Sequence, residues 1–179
     1  MNHTNEIISL NIQECKNIKN YSNRDNKFKV YGINTLEELK EITEYDANII
    51  EIEFTDCFNS EVDKYCLPST LKIIKFGKQF NKPVDNLPQN LKSIIFDTYS
   101  YFNQNVDKLP QNLESIIFGL RFNQNVNNLP QNLESIVFSK YYYRKINKLP
   151  QKLKKIKIHK DTHISNLILP QNVRVERYG

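Results

Sequence analysis

The hydrophobic positions of this chain recur at a fixed interval. FNQNVDKLPQNLESIIF (residues 102–118) and FNQNVNNLPQNLESIVF (122–138) agree at nearly every position, and FNKPVDNLPQNLKSIIF (80–96) is a third copy. The prolines of the Leu-Pro pairs are Pro68, Pro88, Pro110, Pro130, Pro150 and Pro170, at spacings of 20, 22, 20, 20 and 20. A constant period in this range marks a solenoid, in which one short structural unit stacks on the next. The apolar centre of each unit reads L-x-x-I-x-F: Leu71-Ile74-Phe76, Leu91-Ile94-Phe96, Leu113-Ile116-Phe118, Leu133-Ile136-Phe138, and then Leu153-Ile156-Ile158. Its last two members lie two apart, so they share one face of a strand. Three more apolar columns line the same interior. They are Phe58, Phe80, Phe102 and Phe122; Val62, Val84, Val106, Val126 and Ile146; and Leu67, Leu87, Leu109, Leu129, Leu149 and Leu169.

L-x-x-I-x-F is the leucine-rich-repeat (LRR) pattern. The expected fold is therefore a β-rich LRR-like solenoid, with one parallel sheet and one short strand per repeat. About 14 residues per unit remain for the return, too few for an average helix of about 11 residues and two loops. A leucine before proline is pushed into extended backbone, and proline has no N–H to give a sheet. The return is expected as extended segments and turns, with at most a short 3₁₀ piece. Asn59, Asn81, Asn103 and Asn123 each follow the column phenylalanine, where a short amide can satisfy backbone groups of the next coil.

Residues 1–47 depart from the repeat and are expected to cap the open end of the core, packed on residues 48–179 in a single structural domain. Ile7-Leu10-Ile12 and Phe28-Val30 read as strands, with a polar loop from Asn17 to Asn26 between them. Thr35 with Glu38 reads as a helix N-terminal capping box, and Leu36, Leu39 and Ile42 give that helix an apolar face. Regular coils start at Ile49-Ile52-Phe54. Cys57 shares the register of Cys15, and both read as small buried apolar groups. At the far end Tyr141, Tyr142 and Tyr143 replace the loop that elsewhere carries Phe-Asn, and Val173–Tyr178 reads as a last strand.

Composition adds charge to this picture. The 179 residues carry a net charge of +5, and 20 Lys stand against 5 Arg. Residues 1–66 are net −6, residues 67–139 net +2 and residues 140–179 net +9. In a solenoid, order along the chain is order in space, so a negative head and a positive tail are expected. The odd number of cysteines, 3, with no C-x-x-C pair, fits a reducing compartment. There is no secretory leader pattern and no apolar run long enough to span a membrane, so a cytoplasmic location is expected, that of the host cell if the source is viral.

F-N-x-x-V-x-x-L-P-x-x-L-x-x-I-x-F resembles the FNIP repeat, an LRR-like repeat of proteins from social amoebae and from giant viruses of amoebae. The resemblance covers roughly residues 49–170. It implies binding rather than catalysis, because these repeats share no known enzymatic chemistry. Some viral members join the repeats to an N-terminal F-box that recruits a ubiquitin ligase, which would make the repeats a substrate receptor. Residues 1–47 here contain no Leu-Pro followed by an amphipathic helical run, the mark of an F-box.

The candidate binding residues are those facing outward between core positions: Ile73, Ile95, Ile117 and Val137, with Ser93, Ser115 and Ser135 beside them. Glu51 and Glu53 stand at one end of this row, and Lys155, Lys157 and Arg177 at the other. An exposed apolar row of this kind fits a protein partner, although β-branched residues also favour strands for local reasons. The basic stretch 145–160 offers an alternative, binding of nucleic acid or another anionic surface, or self-association driven by the charge separation. His159 and His163 lack ligand-spaced companions, and Glu114 and Glu134 read as surface charges. No phosphate loop, dinucleotide fingerprint or nucleophile elbow occurs. No catalytic residue, cofactor or metal is expected.

Overall fold

The computed structural model describes residues 7–15, 26–44, 48–162 and 172–179. Nine strands build it: β1 (Ile7–Asn11), β2 (Lys27–Ile33), β3 (Ile49–Phe54), β4 (Ile73–Phe76), β5 (Ser93–Phe96), β6 (Ser115–Ile117), β7 (Ser135–Val137), β8 (Lys155–His159) and β9 (Arg174–Tyr178). They form one all-parallel sheet in chain order, β1 to β9. Parallel neighbours need a crossover between them, so each coil lays down a strand and returns behind it. Between residues 48 and 162 that return contains only extended chain and turns. The Leu-Pro segment ends in a tight turn, in which the N–H of Leu91 donates to Pro88 O at 3.2 Å and that of Leu113 to Pro110 O at 3.1 Å. The same bond recurs at Leu71, Leu133 and Leu153.

The one α-helix among the described residues, α1 (Leu36–Thr43), serves as the return between β2 and β3. Thr35 starts it: its hydroxyl accepts from Glu38 N at 3.1 Å, and the Glu38 carboxylate accepts from Thr35 N at 3.1 Å. Leu39 and Ile42 are fully buried, and Leu36 packs at the margin. Where β2 slips against β3, Gly32 takes up the irregularity with φ +83°, a region that favours glycine. In β1 the register pairs Ile8 with Phe28 and Leu10 with Val30, so Ile8 and Leu10 share the inner face and Ile7 is exposed. The expected triple of Ile7, Leu10 and Ile12 is therefore corrected at its first member by the two-residue period of the strand. Cys57 is also corrected. Cys15 is buried, but Cys57 lies on the surface, because the turn after β3 sends Phe58 inward instead.

The inner columns stack as the repeat requires. The middle isoleucines, Ile52, Ile74, Ile94, Ile116, Ile136 and Ile156, are inaccessible to solvent. The valine column from Val62 to Ile146 is buried, and Leu149 is partly so. Leu169, Pro170, His163 and all but the last residue of the loop 17–26 lie outside the described residues. The two phenylalanine columns merge. In each coil the strand-end ring meets the ring of the following turn, at 4.0 Å for Phe54–Phe58, 3.8 Å for Phe76–Phe80, 3.9 Å for Phe96–Phe102 and 3.7 Å for Phe118–Phe122. Successive coils repeat each column at 5.4 to 6.3 Å, with near-parallel planes.

Tyr142 is the last ring of this stack, 4.2 Å from Phe138 and 6.1 Å from Phe122. It holds a phenylalanine position, and Tyr141 and Tyr143 point outward on either side of it. Its hydroxyl is buried with no hydrogen-bond partner among the described residues, and burial pushes its pKa well up. An unsatisfied buried hydroxyl costs about 1–3 kcal/mol. Tyr142→Phe is therefore expected to raise stability by about 1–2 kcal/mol, measured as a higher urea midpoint with unchanged slope.

The asparagine column does what its position suggested. Asn59 Oδ1 accepts from Asn81 N at 2.9 Å, Asn81 from Asn103 N at 2.9 Å, and Asn103 from Asn123 N at 3.0 Å. A second amide ladder runs along the Pro-Gln-Asn turns: Asn90, Asn112 and Asn132 donate to Ser69 O, Gln89 O and Gln111 O of the preceding coils. Extended return segments thus find partners for their backbone without helix or sheet.

Candidate interaction surface

Strand residues that point away from the core form two rows, placed by the register. One row runs Lys29, Glu51, Ile73, Ser93, Ser115, Ser135, Lys155 and Arg174. The other runs Tyr31, Glu53, Lys75, Ile95, Ile117, Val137, Lys157 and Glu176. The structure thus brings Ile95, Ile117 and Val137 into one line. Ser93, Ser115 and Ser135 form the adjacent line, where Ser115 Oγ and Ser93 Oγ are 2.8 Å apart. Ile73 belongs to the serine row and stands diagonally from Ile95. All seven are half-buried, because neighbouring strands flank them on both sides.

The charges at the two ends differ from the expected simple polarity. Glu51 sits between Lys75 at 2.7 Å and Lys29 at 2.9 Å, and Lys75 also reaches Glu53 at 3.2 Å. Burial alone would raise the Glu51 carboxyl, but the hydrogen bonds from Lys75 and Lys29 outweigh it and hold the pKa below the usual range. Lys75 is raised by its own bond to Glu51, helped by the one to Glu53 and opposed by burial. The head of the face is therefore neutralised pair by pair. At the tail Lys155 binds Glu176 at 2.7 Å and Arg174 lies 3.3 Å from it, while Lys157 lies over the Tyr178 ring at 5.6 Å. The tail keeps a cationic excess. Arg177 is not on this face. It is in register with Ile158 of the inner row, and its guanidinium donates to Lys160 O at 3.0 Å across the end of the stack. His159 is turned to Tyr178 edge-on at 5.5 Å. Glu114 and Glu134 pair at the surface with Lys92 and Lys154.

A second surface feature was not recognised from the sequence. Just before the column aromatic, successive coils carry Gln79, Tyr101, Arg121 and Tyr141. Arg121 stands over the Tyr101 ring at 5.9 Å, and Lys78 at 5.8 Å. Leu120, Arg121, Asn123, Tyr141 and Tyr143 border a surface depression of about 390 Å³. The signal was in this repeat position, which varies where its neighbours are constant.

The FNIP repeat profile matches residues 47–79, 58–99, 80–120 and 122–161, more than half of the chain. The chain belongs to the FNIP repeat family. No curated protein matches it. Among solved structures it is similar to the crystal structure of CroV588, described as a novel circular LRR protein, with a TM-score of 0.52 and 19% identity. The likeness covers 98% of this chain and 41% of that one, so the chain spans less than half of its neighbour. At that identity the likeness shows the fold, an LRR-type stack. Repeats of this class serve in protein–protein interaction and are typically not enzymes. No helix among the described residues is long and apolar enough to cross a membrane.

Proposed function

We propose that this FNIP-repeat chain is a non-catalytic interaction scaffold whose protein partner seats on the outer face of the parallel sheet. The observation that supports this reading is the uncharged strip of Ile95, Ile117 and Val137 beside Ser93, Ser115 and Ser135, bounded at the head by ion-paired Lys and Glu. Small serines let a partner backbone approach, and the branched side chains supply apolar area at about 25 cal/mol per Å² buried. Lys155 and Lys157 would favour a partner with acidic groups toward the tail end. Residues 1–47 act in this reading as the cap: β1 and β2 extend the sheet and α1 covers the core beside β3. Cys57, an exposed thiol without a disulfide partner, suits a reducing cytoplasm.

The test is the double variant Ile95→Thr/Ile117→Thr. Both residues are half-buried and Thr keeps the β-branch, so the fold is expected to remain within about 1 kcal/mol of the parent. A partner recovered with the parent chain is expected to be lost by at least about tenfold, since hot-spot truncations cost about 2 kcal/mol or more. An intact fold with unchanged recovered proteins, read by mass spectrometry, rejects the proposal.

A further inference from the structure

The turns that follow the strands form a rim distinct from the sheet face, and its chemistry is concentrated in three coils. Tyr101, Tyr141 and Tyr143 are 45%, 51% and 72% exposed. Lack of room in the core explains why they point outward: Phe102 and Tyr142 already fill the aromatic columns beside them. What it does not explain is why large aromatic side chains stand there among cations. Arg121 and Lys78 flank the Tyr101 ring, and Arg144 donates through Nε to Asn123 O at 3.0 Å, which leaves its remaining donors facing solvent. No carboxylate among the described residues pairs with Lys78, Arg121 or Arg144, whereas the neighbouring Lys140 is held by Asp161 at 3.1 Å. In a chain with 20 Lys and 5 Arg, two of the arginines, Arg121 and Arg144, stand on this rim.

These features define the occupant. Guanidinium groups not held by an internal carboxylate are forks for an incoming one. Exposed tyrosine and arginine together are the composition of binding hot spots. The depression between Leu120, Tyr141 and Tyr143 has the size of one or two side chains and an apolar wall. Single-stranded nucleic acid fits less well, because it asks for a continuous basic groove with a stacking platform for each base, and here the aromatic row is interrupted by Arg121. We propose that this rim binds an acidic, partly apolar segment of a protein, with a carboxylate on Arg121 and an apolar side chain in the depression against Leu120 and Tyr143. The site is separate from the sheet face, and either can hold while the other fails.

The experiment selects random short peptides displayed on phage against the immobilised full chain at low salt. The best peptide is then labelled with fluorescein and titrated by anisotropy. Enrichment of Asp or Glu next to Leu, Ile or Phe is expected. Arg121→Gln and Tyr143→Ser, both at exposed positions and checked by thermal melting, are expected to weaken that peptide by at least about tenfold. Ile95→Thr/Ile117→Thr is expected to leave it unchanged. Failure of any peptide to enrich, enrichment without acidic residues, or equal binding to Arg121→Gln overturns the proposal. Loss on the isoleucine variant alone also overturns it, by moving the peptide to the sheet face. Tighter binding of fluorescein-labelled oligo(dT) than of the peptide overturns it in favour of nucleic acid.

Discussion

Phe96→Ala is expected to destabilise the protein by about 3–5 kcal/mol, the range for truncating a fully buried phenylalanine. Phe96 lies in the middle of the aromatic stack, 3.9 Å from Phe102, 5.5 Å from Phe76 and 6.2 Å from Phe118. Its removal opens a cavity that rings fixed by their own coils cannot collapse to fill. Offset-stacked pairs add about 0.5–1.5 kcal/mol beyond area burial, so Phe96→Leu should also lose stability, though less. Because each coil contacts chiefly its neighbours, the damage should be local. Amide exchange is expected to accelerate most in β4 to β6 and least in β2. Urea unfolding and hydrogen exchange check both points. A loss under about 1 kcal/mol, the centre of the range for ordinary substitutions, would mean that the stack does not carry stability.

Gly119→Ala is expected to cost about 3 kcal/mol, at the upper end of the usual overpacking range. A Cβ on Gly119 would run into Asp97 O and Ser100 of the preceding coil. Gly77 is placed the same way, against Thr55 O and the Asp56 backbone. Neither glycine has a positive φ, so the requirement is space between coils and not an unusual backbone angle. Backbone of the adjacent coil cannot rotate aside as a side chain could. Ser139 occupies the same position one coil after Gly119 and already carries a side chain, bonded to Leu120 O at 3.3 Å. Ser139→Ala should therefore cost only about 1 kcal/mol. Comparable thermal melts for Gly119→Ala and Ser139→Ala would contradict this account.

Much of the architecture was open to reading before any coordinates. A side chain two residues from another in a strand must share its face, so L-x-x-I-x-F determined the inner isoleucines and phenylalanines. Proline after leucine determined an extended, helix-free return. The capping box at Thr35 and Glu38 placed α1, because that pair of bonds is local. Cys57 misled because register along the chain says little about which way a turn throws its side chains. Arg177 misled for a related reason: the last strand departs from the L-x-x-I-x-F pattern, and its pairing with β8 puts Arg177 in the register of the inner Ile158, exposed at the end of the stack.

The candidate sites divide in the same manner. The outward line of Ile95, Ile117 and Val137 follows from strand alternation alone. The neutralisation of Glu51 does not, because Lys29 and Lys75 come from the coils before and after it, and only the stacking register brings all three together. The rim around Arg121 was equally hidden, since Tyr101, Arg121 and Tyr141 are 20 residues apart in successive steps and look like scattered loop variation.

By itself the sequence determined the period, the stacked parallel strands, the buried columns and the amide that follows each column phenylalanine, because each of these depends on spacing within one repeat or on identity between repeats. Only the tertiary structure decided that the two phenylalanine columns interleave as one stack ending in Tyr142, that Gly77 and Gly119 leave no room for a Cβ, and that the lysines and glutamates at the head cancel. Those outcomes depend on the distance and rotation between one coil and the next, which no single repeat encodes.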